Sequence, residues 1–273
     1  MPAIITLTSD FGLRDEYVGV MKGILAAAAP QARLIDISHQ VAPQDVEEAA
    51  LLLEAAAPHF PPGTIHLAVV DPGVGTEREL LLLQAREQYF LAPDNGLLTP
   101  FLDEQSLQAA FVIDCPRLYR QPVSPTFHGR DMLAPVAAAL AGGLAPTSLG
   151  RPALKTRLKK LSSRQLQIDV IHGNIAGFVI HVDHFGNLTT NIHQRHLAAL
   201  PTGPEQWELS CKGLKISGLS ATYGSLPAGA LAALIGSRGY LEIAANRGNA
   251  ARLLGAAVGE PVRLAVRAQA QGL

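Results

Sequence analysis

The chain opens with an apolar run, IITLT at 4–8, that stops abruptly at Ser9-Asp10-Phe11-Gly12. Apolar positions then recur at helical spacing from Tyr17 to Ala29 and end at Pro30, which predicts a helix. RLIDIS (33–38) reads as a second strand, and DVEEAALLLEAAAPHF (45–60) as a helix with Asp45 at its N-cap. TIHLAVVD (64–71) is a third strand, closed by the turn Pro72-Gly73-Val74-Gly75. ELLLLQA and QYFLAPDNG predict a strand pair, and FHGRDMLAPVAAALAGG opens a helix near Arg130. Strands alternating with helices predict an α/β domain with a mainly parallel sheet over 1–160.

Beyond the short basic stretch Lys155 to Lys160 the pattern changes. IAGFVIHVDHFGNLTTNI, WELSCKGLKISGLSATYGSL, ALAALIGSRGYLEIAAN and PVRLAVRA are short β-prone runs separated by Gly, Pro and Asn. They predict a smaller all-β domain over 166–273, with the boundary at about 165.

Composition narrows the function classes. Of 273 residues, 48% are apolar and 16% charged, which is a globular rather than a disordered chain. Lys and Arg number 22 against 23 Asp and Glu, without a basic stripe, so a nucleic-acid surface is not expected. The beginning of the chain lacks the basic and apolar regions of a signal peptide, and no apolar run approaches bilayer length. Cys115 and Cys211 have neither CxxC spacing nor a disulfide framework, and read as buried thiols in a reducing compartment. The expectation is a soluble cytoplasmic protein.

Ligands of open α/β sheets bind at the carboxyl ends of strands. Asp10 and Asp71 both stand where a predicted strand gives way to a loop, which suggests one shared site. Asp10 either caps a turn or bonds a vicinal diol. VVDPGVGTER (69–78) carries a carboxylate, Asp71, and a guanidinium, Arg78, in one compact loop; its GxG does not extend to a dinucleotide fingerprint. FHGRDM (127–132) adds the imidazole of His128, while Asp131 is where a helix dipole favours an acid anyway. In HVDHFGNLTTN (181–191), strand alternation splits His181 and Asp183 from His184, which argues against a metal site. Arg238 of GSRGY either clamps a carboxylate or is a solvated turn residue.

Taken together, TSDFG, VVDPGVGTER, FHGRDM, HVDHFGNLTTN and SRGYLEIAANRGNA resemble, in order and spacing, the S-adenosylmethionine (SAM) hydroxide adenosyltransferase family. These are hydrolytic relatives of the fluorinating and chlorinating SAM enzymes. The resemblance implies an α/β domain followed by a β-rich one, and hydrolysis of SAM to adenosine and methionine. It assigns Asp71, Arg78 and His128 to nucleophile activation and Asp10 to the ribose hydroxyls. Asp15 and Asp183 fall to the methionine ammonium, Ser237 and Arg238 to its carboxylate, and Phe185 and Asn187 to the adenine. It implies no cofactor, SAM being the substrate, and trimers whose sites lie between neighbouring chains. Two positions depart from the halogenating relatives: Gln44 and Thr189 stand where those carry tryptophans. Asp71 replaces a tyrosine of their halide pocket, which favours water over halide. The alternatives are a SAM- or adenosine-binding sensor without turnover, a halide transferase, and a metal-dependent hydrolase using His181, Asp183 and His184.

Overall fold

The computed structural model describes residues 2–161 and 166–267. The chain divides into two compact units after Leu161; the boundary expected at about 165 falls at Gln165, outside the described residues.

The first unit runs through Ile4–Ser9 (β1), Tyr17–Ala28 (α1), Arg33–Ser38 (β2), Val46–Ala56 (α2) and Ile65–Val69 (β3). Leu80–Ala85 (β4), Gln88–Pro93 (β5) and Leu107–Ile113 (β6) follow. A π-helical turn, Gly129–Leu133, leads into Ala134–Ala141 (α3), and Gly150–Pro152 (β7) closes the unit. These strands form one sheet in the order β2-β1-β3-β5-β4-β6-β7. The pairs β1–β2, β1–β3 and β3–β5 are parallel, whereas β4–β5, β4–β6 and β6–β7 are antiparallel. The sheet is therefore mixed, and the parallel arrangement holds only for its N-terminal part. Antiparallel pairing follows from the tight Arg86-Glu87 turn between β4 and β5, both residues at positive φ, too short for a crossover helix.

Both faces of this sheet are covered. Leu67 and Val69 join Ile5 and Leu7 against Met21 and Leu25 of α1 and the apolar α3. Ala68 and Val70, on the opposite face, meet Ala49 and Leu53 of α2. Buried positions Val18, Met21 and Leu25 explain why α1 is helical and which way it faces. At α2 the Asp45 carboxylate accepts from Glu48 N at 2.8 Å, and Glu47 and Glu48 complement the dipole in the first turn. β3 is buried throughout, so the segment beyond it emerges at the C-terminal sheet edge beside the end of β1.

The second unit is β-rich: Gln167–Asp169 (β8), Asn174–Val182 (β9), Leu188–His193 (β10), Trp207–Cys211 (β11), Leu214–Ser217 (β12), Leu231–Ile235 (β13), Tyr240–Ala245 (β14) and Pro261–Val266 (β15). Two short helices, Gln194–Leu197 (α4) and Ala250–Leu254 (α5), interrupt it, so it is not purely β. All pairings are antiparallel, in the order β12-β11-β15-β9-β10-β14-β13 with β8 on β9. The terminal strands β12 and β13 touch, giving a barrel-like curl around Ile175, Leu209, Leu241, Ile243 and Leu264. Cys115 and Cys211 are both free and buried. No helix among the described residues is long and apolar enough to cross a membrane.

Candidate active site

Because β1 and β3 are adjacent parallel strands, with Ser9 opposite Val69, their following loops open side by side. Asp10 and Asp71 line one cavity of about 390 Å³ together with Phe11, Tyr17, Gln44, Phe127 and His128. Phe11, Tyr17 and Phe127 form a triangle of rings with centroids 5.4–5.7 Å apart, which gives that cavity an apolar wall.

Arg78 is the hub of the polar wall. Its Nε donates to Asp71 Oδ1 at 2.8 Å and Oδ2 at 2.9 Å, and its Nη2 donates to Oδ2 as well. Its remaining nitrogen, Nη1, donates to His128 Nδ1 at 3.0 Å. The Arg78 and Asp71 side chains are only 4% and 7% exposed. A bidentate pair in such surroundings is strong and geometrically fixed. Partial burial, and then the neighbouring guanidinium, hold the His128 imidazolium less favourable than usual, lowering its pKa. His128 also borders a second cavity, of about 270 Å³, lined by Arg78, Glu79, Met132 and Arg151.

His128 owes its place to the π-helical turn that follows it, an irregularity frequent at functional sites. Gly129 lets that turn approach β3: a Cβ there would fall 2.9 Å from Val69 Cγ1. Asp131 is not part of the cavity wall. It is buried, accepts from Arg130 Nε and Nη2 at 2.7 Å and from Ser124 N at 2.9 Å, and so ties the loop before His128 to the helix.

The Asp10 carboxylate accepts one hydrogen bond, and the residues around it are fastened to neighbouring elements. Gln44 donates its backbone N–H to Asp10 Oδ2 at 2.8 Å, from a left-handed conformation (φ 68°) that costs a non-glycine residue energy. The preceding residue, buried Ser9, contacts His39 Nδ1 at 2.7 Å, and His39 Nε2 lies 3.1 Å from Asp36 Oδ1. The sequence pattern gave no reason to single out this Ser9–His39–Asp36 chain, since its members lie on β1, β2 and the loop after it. Gly12 N, donating to His39 O at 2.7 Å, fastens the same loop. Asp15 is exposed in the bend before α1.

The second unit carries the other candidates. Asp183 anchors a tight turn: its Oδ1 accepts from Phe185 N at 2.9 Å and Asn187 N at 2.8 Å, and its Oδ2 from Asn187 Nδ2 at 2.9 Å. Phe185 at the tip is 73% exposed, unusual for an aromatic side chain and suited to stacking. Ser237 is exposed, and Arg238 is half-buried with its Nη1 buried and without a hydrogen-bond partner among the described residues. The second position of departure, Thr189, faces Glu242 across β10 and β14, its Oγ1 donating to Oε1 at a long 3.4 Å. Among the described residues no three His, Cys, Asp or Glu side chains come together as metal ligands do.

Comparison with known proteins places these observations in context. The SAM hydroxide adenosyltransferase N-terminal domain matches residues 5–150 and the corresponding C-terminal domain residues 177–263. The chain is 40% identical to a Thermus thermophilus (R)-S-adenosyl-L-methionine hydrolase, over 94% of this chain and 97% of that one. It is 36% identical to a Salinispora tropica protein of the same name, over 95% and 97%. A Nocardia brasiliensis fluorinase is 30% identical over 89% and 90%. A solved structure, of an uncharacterized conserved protein from Thermotoga maritima, superposes with a TM-score of 0.87 at 34% identity, covering 96% and 99% of the two chains.

Proposed function

The chain belongs to the SAM hydroxide adenosyltransferase family, and on that premise we propose that it hydrolyses S-adenosyl-L-methionine to adenosine and L-methionine by attack of water at C5′. The observation that carries the reading is the Arg78 hub, which binds a carboxylate and an imidazole together at the wall of the cavity that Asp10 also lines.

The chemistry asks little of the leaving group. As the O–C5′ bond forms, the C5′–S bond breaks and its electron pair neutralises the sulfonium, so methionine departs as a thioether without a general acid. The nucleophile needs the help. Free hydroxide, from water of pKa 15.7, would cost about 12 kcal/mol at pH 7, at ~1.36 kcal/mol per unit. Partial deprotonation during attack avoids most of that.

Arginine has only donors, so the Arg78 contact makes His128 Nδ1 an acceptor and leaves the imidazole proton on Nε2. His128 then serves as a neutral donor that orients the water through Nε2–H. Asp71 accepts the proton, since Arg78 does not occupy all of its lone-pair positions. The proton afterwards leaves to solvent. Asp71 also favours water over a halide, because a carboxylate repels an anionic nucleophile.

Asp10 holds the ribose diol. Phe185 and Asn187 take the adenine, Asp15 and Asp183 the methionine ammonium, and Ser237 and Arg238 its carboxylate. Arg238 Nη1 supports the last of these, being a buried donor with no acceptor among the described residues. The names of the hydrolase relatives specify the (R) form of the sulfonium, and we extend the proposal to that epimer. Inverting sulfur exchanges its methyl and aminocarboxypropyl groups relative to C5′, so anchors for ribose and amino acid together fit one epimer in line with water. The proposal further comprises a homotrimer, a cytoplasmic location and turnover without metal or organic cofactor.

The test is incubation of chelator-treated protein with each SAM epimer, with and without chloride or fluoride, and chromatography of the products. Adenosine and methionine in equal amounts, independent of halide, support hydrolysis. Halogenated adenosine would indicate halide transfer, and SAM binding without products a sensor.

A further inference from the structure

Asp10 and Phe11 are the residues by which the loop after β1 reaches the cavity. Both are bracketed by one residue outside it. His39, in the connection between β2 and α2, contacts Ser9 Oγ through its Nδ1 at 2.7 Å, and its carbonyl oxygen accepts from Gly12 N at 2.7 Å. Gly12 closes the bracket at φ 69°, where any other side chain would be strained. A third bond, from Gln44 N to Asp10 Oδ2 at 2.8 Å, comes from the same connection. The connection is itself anchored on α2, where Glu48 Oε2 accepts from Ala42 N at 2.8 Å.

Charge orients the imidazole. His39 Nε2 lies 3.1 Å from Asp36 Oδ1, without a well-aligned hydrogen bond, and Asp36 Oδ2 pairs with Lys22 Nζ of α1 at 2.6 Å. A carboxylate beside Nε2 favours the proton on that nitrogen, which makes Nδ1 the acceptor and the Ser9 hydroxyl the donor. Serine, imidazole and carboxylate in that order suggest a nucleophile, but Ser9 is 2% exposed and forms no part of the cavity wall. Its hydroxyl cannot reach a substrate there, and a fixing role is left. A carboxylate that recognises a diol must be held to within about 0.5 Å, and hydrogen bonds to its neighbours in the chain do this.

We propose that His39 is a positioning residue for sugar recognition: by fixing Ser9 and Gly12 on either side, it sets the Asp10 carboxylate for the cis-diol of a ribose. The assignment rests on the SAM reading above, in which Asp10 takes the ribose, and deepens it. It makes the preference for a ribonucleoside over one without the diol depend on a buried side chain that does not line the cavity.

The experiment is calorimetric binding of adenosine and 2′,3′-dideoxyadenosine, neither of which carries a sulfonium to turn over. The unaltered protein should prefer adenosine. His39→Leu, which loses the Ser9 contact, is expected to weaken adenosine by about 5- to 20-fold, part of the worth of hydrogen bonds between a carboxylate and a diol. Affinity for the dideoxy compound should stay within about twofold. His39→Asn, whose amide oxygen can stand where Nδ1 does, should restore most of the loss. Ser9→Ala removes the same contact, should give the same selective loss, and serves if His39→Leu folds poorly. Equal weakening of both nucleosides would reduce His39 to a general structural role. Unchanged affinities, or a His39→Asn variant as impaired as His39→Leu, would remove it from sugar recognition; each of these results overturns the assignment. An unaltered protein that binds the two nucleosides alike would overturn the ribose role of Asp10, and one that binds neither would overturn the SAM reading itself, in both cases with this assignment.

Discussion

Arg78 Nη1 donates to His128 Nδ1 at 3.0 Å, and this single contact fixes which ring nitrogen of the imidazole carries the proton. A histidine so held is a donor through Nε2 and a poor base. His128→Gln, which retains an amide N–H near the Nε2 position, should therefore keep a substantial part of the rate that His128→Ala loses. Single-turnover measurements on both variants check this; equal inactivity of the two would mean that the imidazole takes up the proton.

The same contact predicts a pH dependence. The neutral imidazole is the working form, and burial with the Arg78 charge lowers its pKa below the ordinary 6.5. Neutral His128 thus persists as pH falls through 6.5 and is lost only below it. The acid limb of kcat/KM should have its midpoint below 6.5 and should move in Arg78→Ala. An acid limb centred above 6.5 would contradict the arrangement.

Removing the hub tests its catalytic weight. Arg78→Ala should retain affinity for adenosine while lowering kcat by about 10²–10³, the usual effect of losing a preorganised charged donor. Adenosine binding by calorimetry and SAM turnover under saturation separate the two effects.

Gly129 links packing to chemistry. Its substitution by alanine places a methyl 2.9 Å from Val69 Cγ1 and 3.6 Å from Met21 Sδ. Overpacking of this kind costs about 1–3 kcal/mol and displaces the π-helical turn behind His128. Denaturant unfolding should report that loss, with a fall in kcat larger than the change in adenosine affinity.

A fully buried histidine away from the cavity contributes to the acid sensitivity of the fold. His66 contacts Thr6 Oγ1 through Nδ1 at 2.7 Å and stacks on Phe90 at 4.8 Å; burial lowers its pKa to about 4. The unfolded chain binds a proton there from about pH 6.5 downward and the folded one only near 4. Stability is therefore whole above 6.5 and declines as pH falls towards 4, by about 3 kcal/mol at roughly 1.4 per pH unit. Urea unfolding at pH 7.5 and 4.5 should show the decline, smaller in His66→Phe.

Much of the first unit was legible because its strands are apolar and end at unmistakable punctuation. TSDFG and VVDPG mark the ends of β1 and β3, and parallel pairing brings Asp10 and Asp71 to one cavity. The Asp45 cap is likewise local chemistry. β6 was not expected: LQAAFVI alternates weakly and follows a polar stretch, so its place depends on pairing with β4 and β7. The antiparallel half of the sheet and the π-helical turn are tertiary outcomes of the same sort. The resemblance assigns Asp183 to the methionine ammonium, and the turn that it also anchors becomes visible only with backbone geometry.

The central claim is that enzyme-held water attacks C5′ in line with the departing sulfur. Chelator-treated protein turning over SAM in oxygen-18 water, with mass analysis of the products, tests it most directly. The account predicts adenosine labelled in its 5′-hydroxyl, formed in step with unlabelled methionine and at an undiminished rate without added metal. Unlabelled adenosine, free adenine from glycosidic cleavage, an unsaturated nucleoside from elimination, or a reaction restored only by zinc or manganese would contradict it.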